Sequence, residues 1–256
     1  MARSLHVFRY WLTLYRRTWR STIVISVGNP MLFLLGIGVG LGHLVNEGHS
    51  STLGGVSYSA FFAPGLLAAS AMQTGFVESG GRVIAAAGWV GSYRGAATTP
   101  LEPEEIMTGH LLFILFRLFT SSAIFCAVMA VFGVASGWWV VAAWPAAILT
   151  GLAFATPIAA WSVTQRSIKN LQALFRFALM PMYMFSGAFF ALSELPHGVR
   201  LVVSVLPLAQ GVALCRSLSL GTASVLEVAE RSVYLLAFAV AGIAVARVTY
   251  RRRLHS

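Results

Sequence analysis

The sequence predicts an all-α integral membrane protein with six transmembrane helices, an N-terminal interfacial helix and a re-entrant outer hairpin before the sixth span. Hydrophobic residues make up 57% of the 256 residues, charged residues only 10%, and the mean hydropathy is +0.77. Soluble domains carry about 25% charged residues. The stretch 118–165 contains no Asp, Glu, Lys or Arg. Because about 20 apolar residues cross the hydrocarbon core, this stretch alone is long enough for two spans, with Trp138 and Trp139 suited to the interface at the turn between them.

The first twenty residues predict a basic amphipathic helix that lies in the membrane interface. Five Arg residues between Arg3 and Arg20 lie among leucine and aromatic side chains, a composition typical of interfacial helices. A disordered basic leader is the alternative. The apolar run that follows is too long for the core of a signal peptide, and no Ala-x-Ala-like site comes closely after it. We therefore expect this segment to remain attached.

Six apolar segments are long enough to cross a bilayer, and neighbouring helices compensate for the Pro and Gly residues that interrupt several of them. They cover residues 21–46, 58–77, 109–135, 140–165, 171–192 and 224–247. The segment 193–222 differs, because Pro196 and Pro207 split it into two pieces of roughly 10 to 14 residues, which are too short to cross. That segment predicts re-entrant or interfacial helices on the outer side.

The distribution of basic residues predicts the orientation. The termini, the loop 79–108 and the loop 165–170 hold thirteen Lys and Arg residues, whereas the opposite side holds Arg200, Arg216 and Arg231. By the positive-inside rule, both termini lie in the cytoplasm. We expect a multi-pass protein of the cell membrane in which residues 1–256 form one transmembrane domain.

The net charge of +10 does not predict nucleic-acid binding. The basic residues cluster at the termini and in short loops between apolar runs, which is the pattern of a membrane flank rather than one basic face of a folded domain. Membrane lipid is therefore the expected partner of these charges.

The spans contain almost none of the charged groups that mark proton relays, ion sites or membrane-embedded catalysis. Glu78 ends the second span, and we predict a structural ion pair between it and Arg117 or Arg176. Asp is absent from the chain, and the sequence contains no zinc-protease, serine-hydrolase or phosphate-loop motif. Cys126 and Cys215 have no metal-ligand spacing. We predict no catalytic residue, no metal and no cofactor bound by this chain, so the energy source must be elsewhere.

The inner segment 79–108 carries the most organised pattern and predicts a docking surface for a partner. It combines Gly breakers and a helical patch from Arg82 to Trp89 with the run Thr99-Pro100-Leu101-Glu102-Pro103-Glu104-Glu105. The acids after Pro103 have an alternative role in capping a new helix, where the helix dipole favours negative charge. The candidate docking residues are Arg82, Trp89, Arg94, Thr99, Pro100, Glu102, Glu104 and Glu105.

Several stretches, in order along nearly the whole chain, resemble the permease subunits of type-2 ABC exporters, especially the nodulation-factor (lipo-oligosaccharide) and daunorubicin-type drug-export permeases. The first four are Tyr15-Arg16-Arg17-Thr18-Trp19-Arg20, Asn29-Pro30, Phe61-Phe62-Ala63-Pro64-Gly65-Leu66-Leu67-Ala68, and Tyr93-Arg94-Gly95-Ala96-Ala97-Thr98-Thr99-Pro100-Leu101 with Ile106 and Gly109 after it. The fifth runs from Phe175-Arg176-Phe177 through Pro181-Met182-Tyr183-Met184-Phe185-Ser186-Gly187, Phe189-Phe190, Leu195-Pro196 and Pro207-Leu208 to Gly211 and Arg216. Two departures, Ala191 after a Phe-Phe pair and Ala209-Gln210 after a Pro-Leu pair, fall in the outer region.

This resemblance implies a six-span permease with a coupling helix between its second and third spans. It also implies a second permease copy and two separate ATPase subunits that bind ATP and Mg. The docking residues above would then couple the ATPase to the spans. A path for an amphipathic substrate needs apolar, adaptable walls with few polar groups, and ordinary helix packing is the alternative role of the residues that would suit it. The candidate path residues are Met72, Gln73, Phe76, Met182, Phe185 and Phe189.

Three other classes of protein remain as alternatives at this point. An intramembrane enzyme needs convergent acids, His or a nucleophile–base pair inside the bundle, and an ion-coupled carrier needs buried ionisable residues. The spans supply neither set. A non-transporting membrane scaffold is compatible with the sequence.

Overall fold

The computed structural model describes residues 2–33, 35–36, 57–134 and 139–254, and every regular element in these ranges is helical. The all-α prediction is therefore confirmed for this part of the chain. A π-helical turn covers Phe175–Leu179, and a 3₁₀ turn covers Leu192–Glu194. The helices are α1 (Ala2–Phe33), α2 (Tyr58–Ser79), α3 (Gly81–Ala87), α4 (Ser92–Ala97), α5 (Pro103–Val131), α6 (Trp139–Ser162), α7 (Ile168–Leu174), α8 (Met180–Phe185), α9 (His197–Ser204), α10 (Pro207–Ser219) and α11 (Val225–Leu254).

Four helical stretches in the described ranges are long and apolar enough to cross a membrane: Tyr58–Ala87, which joins α2 and α3, and the helices α5, α6 and α11. They correspond to the second, third, fourth and sixth predicted spans, and they confirm a multi-pass membrane protein. The third predicted span, which corresponds to α5, begins at Pro103 rather than at residue 109. A capping box between Glu102 and Glu105, with Pro103 in the first turn, starts α5 at the edge of the charged run.

The first and fifth predicted spans differ from what the structure describes. Residues 34 and 37–56, which include the second half of the first predicted span and nearly all of the following polar loop, lie outside the described residues, as do residues 135–138, where a turn was predicted. Helix α1 passes Arg20 without a break, so the predicted interfacial helix does not end there. The fifth span is not one straight α-helix. Its helical path contains the π turn and stops at Phe185, and Gly187 then adopts φ 81°, a left-handed conformation that favours glycine.

The predicted outer segment is a bent helix pair. Helices α9 and α10 meet at 85° across the short break before Pro207. Counted as one span, the pair would raise the number of candidate spans to five. The missing backbone N–H of Pro207 is tolerated there, because it occupies the first turn of α10.

Helix α6 lies at the centre of the bundle and packs against α2, α5, α10 and α11. Glycines allow the closest approaches. A Cβ on Gly75 would lie 2.6 Å from the carbonyl oxygen of Gly151, and one on Gly242 would lie 2.3 Å from Oγ1 of Thr156. Such contacts leave no room for a methyl group, so at both glycines the backbone of one helix packs directly against its neighbour.

The start of α1, the segment 79–108 and the end of α11 all lie at one end of the bundle, which we call the loop end. Arg3 donates a hydrogen bond from Nη1 to the carbonyl oxygen of Pro100 over 2.9 Å. The rings of Tyr93 and Tyr250 lie 5.7 Å apart. Because α11 contains 30 residues, and a helix rises about 1.5 Å per residue, Val225 lies at the opposite end.

Candidate functional site

A buried charge cluster lies where α2 passes into α3. We call Glu78, Arg82, Arg117 and Tyr15 the Glu78 cluster. Glu78 is 2% exposed and Arg117 4%. Arg117 donates from Nε to Oε1 of Glu78 over 3.1 Å, and Arg82 Nε lies 2.9 Å from Oε2, an ion pair without hydrogen-bond alignment. Arg117 also donates from Nη1 to the Tyr15 hydroxyl over 3.0 Å. The cluster therefore connects α1, α2, α3 and α5.

Of the two predicted partners of Glu78, the structure pairs it with Arg117. Arg117 is a partner, whereas Arg176 is exposed on a different helix. The additional partner is Arg82, one of the predicted docking residues. Its position four residues after Glu78 on a helical path was the available signal, because residues with this spacing share a helix face.

An aromatic layer lies beside the charge cluster and joins the segment 79–108 to its neighbours. The rings of Trp11 and His110 stack at 4.3 Å, and the Tyr93 hydroxyl shares a hydrogen bond with Nδ1 of His110. Burial, reinforced by the neighbouring hydroxyl of Tyr250, raises the pKa of Tyr93 well above its usual value. Tyr93 is thus a neutral hydrogen-bonding group that ties α4 to α5.

The predicted docking residues separate into two sets. Five of them, which we call the coupling surface, are exposed: Trp89, Arg94, Thr99, Pro100 and Glu102. Trp89 is 62% exposed, which is unusual for so large an apolar side chain. It precedes a turn at Gly91, where φ is 68°.

The other three predicted docking residues have partners inside the chain. Arg82 belongs to the Glu78 cluster. Oε1 of Glu104 lies 2.7 Å from Nε of Arg251 on α11, and the carboxylate of Glu105 accepts a hydrogen bond from the backbone N–H of Glu102 over 3.1 Å. The capping role weighed for the acids after Pro103 is therefore present for Glu105.

Two of the six predicted path residues line one groove. Gln73 and Phe76 face a groove of about 520 Å³ between α2 and the helical path from α7 to α8. Met72 is 1% exposed in the core, because it lies on another face of α2. Residues 73, 76 and 77 follow the spacing of one helix face.

The remaining path residues surround the end of α8. Met182 is partly buried against the core, and Phe185 is exposed beside Phe190. Phe189 packs edge-on against Tyr183 at 5.1 Å. These three residues do not line the groove that Gln73 and Phe76 face.

Arg216 fixes the bent outer pair to the bundle, a role that the sequence did not indicate. Its Nε donates to the carbonyl oxygen of Phe61 over 3.0 Å, and its Nη2 donates to that of Gly187 over 2.7 Å. The guanidinium also lies 3.6 Å from the ring centre of Phe61. Helix α10 is thereby joined to α2 and to the turn after α8.

Among the residues whose positions the structure describes, no three His, Cys, Asp or Glu side chains come together as a metal site.

The chain matches the ABC-2 type transporter family over residues 5–220. It is similar to Nodulation protein J of Rhizobium meliloti (strain 1021), with 28% identity over 251 residues, 95% of this chain and 94% of that protein. Nodulation protein J of Bradyrhizobium diazoefficiens is 31% identical over 257 residues, with the same coverage of the two chains. For that of Sinorhizobium fredii the identity is 31% over 216 residues, 80% of this chain and 79% of the relative.

Proposed function

The chain belongs to the ABC-2 type transporter family, and from this premise we propose that it is the transmembrane subunit of an ATP-driven exporter of an amphipathic substrate. The substrate classes that its resemblances support are a drug or antibiotic, a lipid and a lipo-oligosaccharide. The relatives named Nodulation protein J favour the last of these.

The proposed assembly contains two copies of a separate ATPase, which bind ATP and Mg, and a second permease copy. The absence of a phosphate loop from the full sequence supports a separate ATPase. The proposed topology has six spans, with 21–46 and 171–192 as the first and fifth, and both termini in the cytoplasm. The thirteen-to-three distribution of basic residues supports this orientation.

One observation carries the proposal: the coupling surface is exposed, yet buried contacts join its surroundings to the spans. Glu102 belongs to both the coupling surface and the capping box that starts α5. Arg82, on the preceding helix α3, is held by Glu78 at the end of α2. A force on the coupling surface would therefore reach α2 and α5 through short, packed contacts rather than through a slack linker.

The test reverses two charges on the coupling surface. We expect R94E/E102R to insert and fold, because both side chains are exposed and losing the Glu102 side chain from the capping box costs only about 0.5–2 kcal/mol. Transport per ATP hydrolysed should fall at least about tenfold, the factor that corresponds to about 1.4 kcal/mol. The measurement is ATP hydrolysis and transport by the complex with its ATPase, reconstituted in vesicles.

The matched control is E194R/R200E, which reverses two exposed charges near the bent outer pair and should leave coupling intact. Normal co-purification of R94E/E102R with the ATPase, together with transport at the full rate, would show that the coupling assignment is wrong.

A further inference from the structure

The groove between α2 and the path from α7 to α8 has two chemically different parts. Its floor is aromatic, since the rings of Phe76 and Phe175 lie 5.2 Å apart. Its polar groups are Gln73, Gln172 and Arg176. The volume of about 520 Å³ falls within the range of roughly 300–1,000 Å³ that is typical of small-molecule sites.

The charge of Arg176 is not neutralised by an acid within the described part of the chain, where none of the ion pairs includes it. Glu78 follows the groove residue Val77, but its carboxylate is buried against Arg117 and Arg82. None of the groove-lining residues is acidic. Arg176 is exposed where it lines the groove, so its guanidinium can pair with an anionic group on a ligand.

The geometry around Arg176 suits such a group. A guanidinium binds phosphate, sulfate or carboxylate oxygens through two parallel hydrogen bonds. Gln172 is four residues earlier on the same helical path, and Gln73 lines the same groove from α2, so both side chains offer amide groups to the rest of a polar head. Arg176 also belongs to the π turn Phe175–Leu179, a distortion that is frequent at functional sites.

We propose that this groove binds an amphiphile with an acidic head group, and that Arg176 selects it over amphiphiles with zwitterionic or cationic heads. The apolar part of the amphiphile lies against Phe76 and Phe175. This inference rests on the proposed function only in taking the bound amphiphile to be the transported molecule. It deepens that function, because it places cationic drugs outside the preferred substrate class.

The test uses three fluorescent amphiphiles that share one acyl chain and differ in the head group: a phosphate monoester, a phosphocholine and a trimethylammonium. Each is titrated against the full chain in nanodiscs of phosphatidylcholine. We expect the phosphate monoester to bind at least about fivefold more tightly than either the phosphocholine or the trimethylammonium amphiphile, the factor for about 1 kcal/mol, which is the upper end for an exposed ion pair.

The decisive variant is R176Q, which should remove this preference, and its matched control is R166Q. Both substitutions lower the net charge by one, and Arg166 is exposed but does not line the groove. V77W, which fills the groove from its exposed side, should weaken the binding of the phosphate monoester. No preference in the unsubstituted chain, an unchanged preference in R176Q, or equal losses in R176Q and R166Q would each overturn the proposal.

A second measurement separates this proposal from the proposed function. The complex with the ATPase is assayed for ATP-driven transport of the phosphate monoester and of an uncharged amphiphile. Binding that depends on Arg176 without any ATP-driven transport would refute the exporter assignment and leave the groove intact. ATP-driven transport without any head-group preference would refute the proposed selection by Arg176 and leave the exporter assignment intact.

Discussion

Arg117 on α5 and Glu78 on α2 are hydrogen bonded over 3.1 Å although 39 residues separate them in the sequence. Arg82 lies on the other oxygen of the same carboxylate. One buried carboxylate therefore pairs with two guanidinium groups. Arg117 also donates a hydrogen bond to the Tyr15 hydroxyl, and its guanidinium lies over the Tyr15 ring. Removing the acid would leave two positive charges close together with little water to screen them.

We expect E78Q to destabilise the protein by about 3 kcal/mol, since breaking a buried ion pair from one side leaves an uncompensated charge. The measurement is the loss of folded protein on heating or denaturant titration in detergent. The control is E227Q. The Glu227–Arg231 pair is shorter, at 2.5 Å, but its side chains are 35% and 24% exposed, so we expect a cost below about 1 kcal/mol. Equal effects of the two substitutions would contradict the structural role given to Glu78.

We expect G242A to cost about 1–3 kcal/mol through overpacking between α11 and α6. The added Cβ would lie 2.3 Å from Oγ1 of Thr156 and 2.6 Å from the backbone nitrogen of Pro157, which cannot rotate away. It would also disturb the hydrogen bond from Thr156 to the carbonyl oxygen of Ala239. G198A is the comparison, because a Cβ there meets nothing within 4 Å. A G242A protein as stable as the G198A protein would show that α6 and α11 are not so close.

We expect a membrane-impermeant thiol reagent added to intact cells to label T222C but not T98C. Both positions are exposed, Thr98 is at the loop end, and Thr222 is beyond the far end of α11. The native Cys126 and Cys215 are buried, so background labelling should be low. T98C should become reactive once the membrane is permeabilised. Labelling of T98C in intact cells would reverse the proposed orientation.

The sequence was sufficient to predict four spans because each consists of a long apolar run with few charges. It was not sufficient for the fifth predicted span. The apolar composition of residues 171–192 does not reveal that Gly187 turns the chain or that the helix contains a π turn. Apolar composition indicates that a segment can enter the membrane. It does not indicate where the helix bends or ends, because that depends on the backbone dihedral angles.

Site residues were harder to predict than spans. Arg117 and Arg176 both lie within about two turns of the inner ends of their predicted spans, and only the packing of α5 against α2 distinguishes them. Met72 and Gln73 are neighbours in sequence, yet one is in the core and the other lines the groove. A helix turns through about 100° per residue, so the helix face, which sequence alone did not establish here, decides the role.

The arrangement of the Glu78 cluster also bears on the order in which the protein is made. Synthesis delivers α2 and α3 before α5, so Glu78 emerges from the ribosome 39 residues ahead of Arg117. During that interval Arg82, one helical turn away, is already attached to the same stretch of chain. The carboxylate therefore has a local counter-charge when α2 enters the bilayer, where an unpaired charge is costly. When α5 follows, Arg117 meets a Glu78 carboxylate that is already paired with Arg82. This arrangement favours insertion of the helices in the order in which they are synthesised.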